Sequence, residues 1–390
     1  MSSRRTRARA LAALVAFALV ALAASCAKNV DDPEAGPEPT TTSTTAAPLG
    51  PTYPLTGLPS DDEARRTRPA LVVKIDNNIG ARPPVGINQA DVVYEEEIEA
   101  GYTRFAAVFH SQDADPVGPI RSARISDIAL LGNLNRPMLA WSGANAVTAS
   151  AIRNADLVDV GFDAQTDEYD RANNRPAPSN LFATTTGLYE HAGDARFAPA
   201  LFQYRTAEAA AATTTTAATA DAGAGTTATT TVAGDGVPTA GGRVAFRSRD
   251  IAYVWDAGRA GWIRFQDGTP YADDQAQLVA PTNVVFLYID YLCCPTVPGT
   301  PEAQTVGEGD AAVFTDGRFI DARWSRPTGA DVWNLTDKAT GQPILLTPGR
   351  TWVELANPGT GSFVEQAEAD QLLAAAAQPL ELELPPPEFG

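Results

Sequence analysis

Two stretches of this chain cannot build a core, and their positions decide what the rest can fold into. Between Thr206 and Ala240, 13 Ala and 12 Thr fill 25 of 35 positions, without aromatic residues. Residues 26–52 are dominated by Thr, Pro and acidic residues and are almost free of large apolar groups. Neither stretch can bury enough apolar surface to offset chain entropy, so both are expected to be disordered. Two foldable segments remain, 53–205 and 241–358, followed by a short helix and an acidic, Pro-rich tail over 359–390.

Charge narrows the function classes. The chain carries 47 acidic against 29 basic residues, a net −18, and its only lysines are Lys28, Lys74 and Lys338. A protein that tracks phosphates needs the opposite sign, so nucleic acid is not an expected partner.

The N-terminus reads as an address. Arg4, Arg5, Arg7 and Arg9 precede an apolar run from Ala10 to Leu22, and small residues lead to Ala23-Ala24-Ser25-Cys26. Residues 1–25 therefore form an export signal, since the run is shorter than the roughly 20 residues that span a bilayer. A cysteine directly after small residues resembles the lipobox of bacterial lipoproteins, with Leu22 one place early. That resemblance implies lipidation, palmitate included, at Cys26 and a partner in the membrane itself. The protein is then held to the cell membrane on its extracytoplasmic face by the flexible tether 26–52, with plain secretion or an uncleaved anchor as the alternatives.

Within 53–205, the run Arg68 to Asn78 (RPALVVKIDNN) reads as a strand ending in a polar loop. Ala90 to Ala100 and Thr103 to His110 read as two paired strands about Gly101. Period-2 alternation puts Glu95, Glu97 and Glu99 on one face. Helices are expected over Ser126 to Asn133, Asn145 to Ala155 and Thr184 to Ala195, with a polar loop rich in Arg and Asn (Arg171, Asn173, Asn174, Arg175) between the last two. After Gly242 short strands alternate with turn signals, the clearest hairpin being Ala311 to Trp324 around Asp316-Gly317. The fold class is α+β, with a larger mixed α/β N-terminal domain over 53–205 and a smaller β-rich C-terminal domain over 241–358.

Two long stretches carry a family resemblance. Residues 68–124, with ADVVYEE from Ala90, TRF from Thr103 and GPIRSAR from Gly118, and residues 311–355 resemble the YerB-like bacterial lipoproteins. Their defining domains have no assigned function. The resemblance implies an exported, lipid-anchored protein of two regions and suggests an association with cell-wall synthesis.

Common catalytic parts are missing. No Ser-x-x-Lys, Gly-x-Ser-x-Gly or phosphate-binding glycine loop appears, and His110 and His191 lack metal-ligand spacing, so no cofactor or metal is expected. Beyond Cys26, the adjacent pair Cys293 and Cys294 can close a strained vicinal disulfide or remain as two thiols. Trp255, Trp262, Trp324, Trp333 and Trp352 suit a core better than a sugar-stacking surface.

What remains is a polar constellation within the family motifs: Asp76, Asn77, Arg82, Glu95, Glu99, Arg104, Arg121, Ser122 and Arg124. Arg forks pair with carboxylates, either inside the protein as a structural network or on a carboxylate-bearing envelope ligand or a cell-wall synthesis partner. Glu95 and Glu99, four apart on one strand, lie about 13 Å apart, too far for a glycosidase pair. Binding is the leading reading, against an enzyme on cell-wall glycan or peptide and a structural spacer.

Overall fold

A computed structural model of the protein describes residues 50–206, 236–293 and 295–390. The export signal, Cys26 and nearly all of the tether, most of the Ala/Thr insertion and Cys294 lie outside the described residues.

The first segment supplies α1 (Glu63–Arg66), β1 (Leu71–Asp76), β2 (Val92–Glu97) and β3 (Thr103–Phe109). It continues with α2 (Ser126–Leu131), β4 (Met138–Ala140), α3 (Ala146–Arg153), β5 (Val158–Asp159), β6 (Tyr169–Arg171), β7 (Leu181–Ala183) and α4 (Thr185–Tyr189). The three expected helices are present and shorter than expected. Asn145 and Thr184 cap α3 and α4 through their side-chain oxygens. In α2 neither Ser126 nor Asp127 is the cap: both lie inside the helix, where Asp127 reaches back to accept the Arg124 N–H.

The two foldable segments share one sheet. Its order is Asn334–Asp337, Arg318–Arg326, Gly307–Thr315, Asn283–Tyr288, Thr351–Ala356, β2, β3, β1, β4, β5, so the two regions meet where Thr351–Ala356 runs parallel to β2. The hydrogen-bond ladder therefore continues from one of the two expected regions into the other at this seam. The insertion is also shorter than expected, since Val237–Pro238 pairs with Arg318–Arg326. At the tether's end, Thr52 bridges to Pro59.

Residues 361–363, expected to belong to the tail region, instead complete a second, five-stranded sheet as Gly361–Phe363 beside Gly241–Phe246. The hairpin over 311–324 forms as expected, with Asp316 at φ 50° and Gly317 at φ 68° in its two-residue turn.

Alternation sorts the core into layers. Val72, Tyr94, Ala106 and Val108 face α2 and α3, whereas Val73, Val93, Phe105 and Ala107 face Tyr253 and Trp262 of the second sheet. Both faces of the central strands are covered, and β1, β2 and β3 are buried along their whole length. The far face of the second sheet packs on the helix Gln366–Ala376. Trp262, Trp324, Trp333 and Trp352 are buried in these layers, as a core assignment requires.

Candidate functional site

The nine residues singled out by sequence do not form one cluster. The reason is again alternation: Glu95 leaves β2 toward the second sheet, while Asp76 and Arg104 leave β1 and β3 toward α2. Glu99 leaves the strand altogether, because the chain turns through Ala100 (φ 60°) and Gly101 (φ 77°). The single acidic face proposed for Glu95, Glu97 and Glu99 therefore ends at Glu97.

Between the sheets, Arg264 donates from Nη2 to Glu95 at 2.7 Å, and its guanidinium lies 4.2 Å over the Tyr271 ring. Asn77 donates to Glu95 at 3.0 Å and accepts from the Tyr271 hydroxyl at 2.9 Å. Glu354 sits beside this group on the Tyr253 hydroxyl, and burial and the Glu95 carboxylate push its pKa well up. Arg264 and Glu95 are both fully buried. This network is sealed from solvent and ties the two sheets together. Sequence reasoning missed Arg264, whose signal was a lone charge in an otherwise apolar strand, GWIRFQ.

On the other side, Lys74 bridges Glu96 and Asp127 at 2.5 and 2.7 Å with all three side chains buried. Beyond this triad lie Arg104, Arg121 and Arg124. The GPIRSAR loop is held against β1 and β7: Ile120 N–H donates to Leu181 O and Arg121 N–H to Lys74 O. At Gly118, φ is +153°, and a side-chain Cβ would lie 2.7 Å from the Phe182 ring and 2.9 Å from Leu181 O, so only glycine fits.

Arg121 Nε donates to Asp76 at 3.0 Å, and Arg124 pairs with Glu99, whose other oxygen accepts from Thr300 at 2.9 Å. Partial burial pushes the Glu99 carboxyl up, but the bonds and charge of Arg124 outweigh it and hold it below its usual value. Arg104, 4% exposed, makes one hydrogen bond, Nη1 to Ser122 O at 3.2 Å, and its buried Nε has none. Among the described residues no carboxylate pairs with it. Burial, then the charges of Arg124 and Arg121, pull its pKa down to about 10 against the opposing pull of the Asp76 and Glu99 carboxylates.

Arg82 stands apart, near Glu383 at 3.4 Å. Cys293 is disulfide-bonded, and the chain's other two cysteines, Cys26 and Cys294, lie outside the described residues.

Comparisons with known proteins fit this architecture. The model of the N-terminal domain of a protein family of unknown function, DUF3048, matches residues 55–198, and that of its C-terminal domain matches 242–353. The chain belongs to the YerB-like DUF3048 family. YerB, a candidate lipoprotein of Bacillus subtilis (strain 168), is 25% identical over 329 residues, covering 81% of this chain and 89% of that protein. The crystal structure of Bacillus subtilis YerB superposes with a TM-score of 0.66 at 20% identity, over 80% of this chain and 99% of that one. DUF3048 membership and the relative's name fit a lipoprotein. No helix among the described residues is long and apolar enough to cross a membrane.

Proposed function

We propose that this protein is an envelope lipoprotein, anchored through Cys26 on the extracytoplasmic face, that binds a carboxylate-bearing ligand or wall-synthesis partner through Arg104, Arg121 and Arg124. The observation that carries the reading is Arg104, a buried guanidinium that makes no direct ion pair among the described residues, because the nearby Asp76 and Glu99 carboxylates are bonded to Arg121 and Arg124 instead. A buried cation without a directly bonded counter-ion is costly, and an incoming carboxylate relieves that cost through charge-assisted hydrogen bonds.

Calorimetric titration of the chain from residue 27 with a disaccharide tetrapeptide released from cell wall tests the site. Binding is expected for wild type, with loss in Arg104→Met and Arg121→Gln at unchanged fold and with the peptide's carboxyls amidated. Crosslinking in intact cells covers a protein partner. No binding by wild type, together with identical crosslinked sets from wild type and variants, overturns the reading. For the anchor, Cys26→Ser is expected to move the protein out of the membrane fraction and abolish labelling by palmitate.

A further inference from the structure

The Arg/Asn-rich loop between β6 and β7 touches the arginine cluster only through Ser179, whose hydroxyl donates to Asp76, and its other polar residues hold residues 385–388. Asn174 clamps that segment at two points: its Nδ2 donates to Pro386 O at 2.8 Å, and its Oδ1 accepts the Glu388 N–H at 2.9 Å. Asn173 N–H donates to Glu388 O at 2.8 Å, and Arg175 Nη2 donates to Pro385 O at 3.0 Å. Arg175 is fixed for this by a second bond, Nη1 to Pro83 O at 3.0 Å. The Phe389 ring meets Phe182 edge-on at 5.6 Å, and Arg82 faces Glu383.

These contacts are those of a peptide-recognition groove. The loop reads main-chain carbonyls, which prolines present without an N–H, while one aromatic and one carboxylate add side-chain selection. The occupant is lightly held: among residues 381–390 none is buried and seven are exposed. A cavity of about 280 Å³ adjoins its start, lined by Arg82, Tyr271, Ala375 and Leu380 and by Glu381 and Glu383 of the segment itself.

We propose that the loop 171–180, with Arg82 and Phe182, is a recognition groove for an extended, proline-containing, acidic peptide of a partner protein, and that residues 383–389 fill it in cis until displaced. The site adjoins the arginine cluster at Ser179, but its recognition contacts are separate and do not depend on the function proposed there. Tethering gives the cis segment an effective concentration near the millimolar range, so a free peptide must compete with it.

The test uses the full chain and a fluorescein-labelled peptide of residues 381–390, read by anisotropy. Two variants open the groove, Phe389→Gly alone and Pro386→Gly with Phe389→Gly. Each is checked by thermal unfolding, and the single change sits at a residue 41% exposed. Opened protein is expected to bind the peptide at least tenfold more tightly than wild type, and Asn174→Ala in that background to lose at least tenfold. A peptide with the leucines replaced by alanine should still bind, and one with the prolines scrambled should not. The proposal is overturned if opening gives no gain or Asn174→Ala changes nothing. It is also overturned if wild type sediments as a dimer that Phe389→Gly dissociates, which would make a second copy the occupant.

Discussion

Asp76 and Arg104 stand opposite each other across β1 and β3 with their side chains on the same side of the sheet, yet they do not pair. The Asp76 carboxylate is taken by Arg121 at 3.0 Å and by the Ser179 hydroxyl at 3.1 Å. Arg104 is left with a main-chain carbonyl, two like charges, and the Asp76 and Glu99 carboxylates acting on it without a direct bond.

Replacing that guanidinium by an apolar chain of similar length should therefore not weaken the fold. Arg104→Met is expected to raise the unfolding free energy by about 1–2 kcal/mol, because a buried, unpaired charge is removed. Urea denaturation measures it. A loss above about 1 kcal/mol would mean that the protein itself supplies the counter-charge.

Lys74 presents the opposite case. Its ammonium holds Glu96, through Oε1, and Asp127 together in the interior, and among the described residues Glu96 Oε2 has no hydrogen-bond partner. Lys74→Met should cost about 3–5 kcal/mol at neutral pH by leaving two buried carboxylates uncompensated. Burial and Asp127 already push Glu96 up against the pull of Lys74, and removing the lysine raises it further. A raised folded-state pKa makes the native state take up protons as pH falls. The deficit should thus shrink between pH 7 and pH 5, and a deficit that stays constant would count against this account.

His110 is fully buried, and among the described residues neither ring nitrogen reaches a hydrogen-bond partner at bonding geometry, the Arg68 and Arg66 main chain being its nearest polar neighbours. Burial, then the charge of Arg68, lowers its pKa to about 4, against about 6.5 in an unfolded chain. Its stabilising contribution is complete above pH 6.5 and is lost as pH falls toward 4, because the unfolded state binds the proton first. Asp91, raised to about 6 by burial, acts in the opposite direction. That contribution is common to both proteins in the comparison. Between pH 7 and pH 5, His110→Phe should lose about 2 kcal/mol less stability than wild type. Parallel pH profiles would refute the assignment.

Arg264 offers a test of side-chain shape. Its guanidinium bonds Glu95 and Gln266 while lying over Tyr271 at 4.2 Å and Trp352 at 5.3 Å. A lysine keeps the charge but not the planar fork, so Arg264→Lys should destabilise by about 1–3 kcal/mol. Equal thermal midpoints would show that charge alone is what the site requires.

The strands β1 to β3 were legible because apolar, β-branched runs alternate between turn residues, and the hairpin over 311–324 because Asp316-Gly317 is a local signal. The seam between β2 and Thr351–Ala356 was not, since a parallel pairing leaves no turn to read. Counting by twos along 95, 97 and 99 failed at the turn through Ala100, where the backbone left the strand. Glu95 was visible as a carboxylate, but its partner lies 169 residues away on another sheet, and no spacing in the sequence announces it. The same holds for Asn174, whose polar loop was noticed while its occupant, the far end of the chain, was not.

The pairing of Val92 with Thr351 also governs when this molecule can become itself. A chain that emerges N-terminus first must present β2 with one edge open until roughly 260 further residues have followed, since loop closure precedes any gain from so distant a contact. Throughout that wait Val92, Val93 and Tyr94 lie along an unpaired strand edge that invites a foreign strand. Maturation is thus a race between arrival of Thr351–Ala356 and aggregation at this edge.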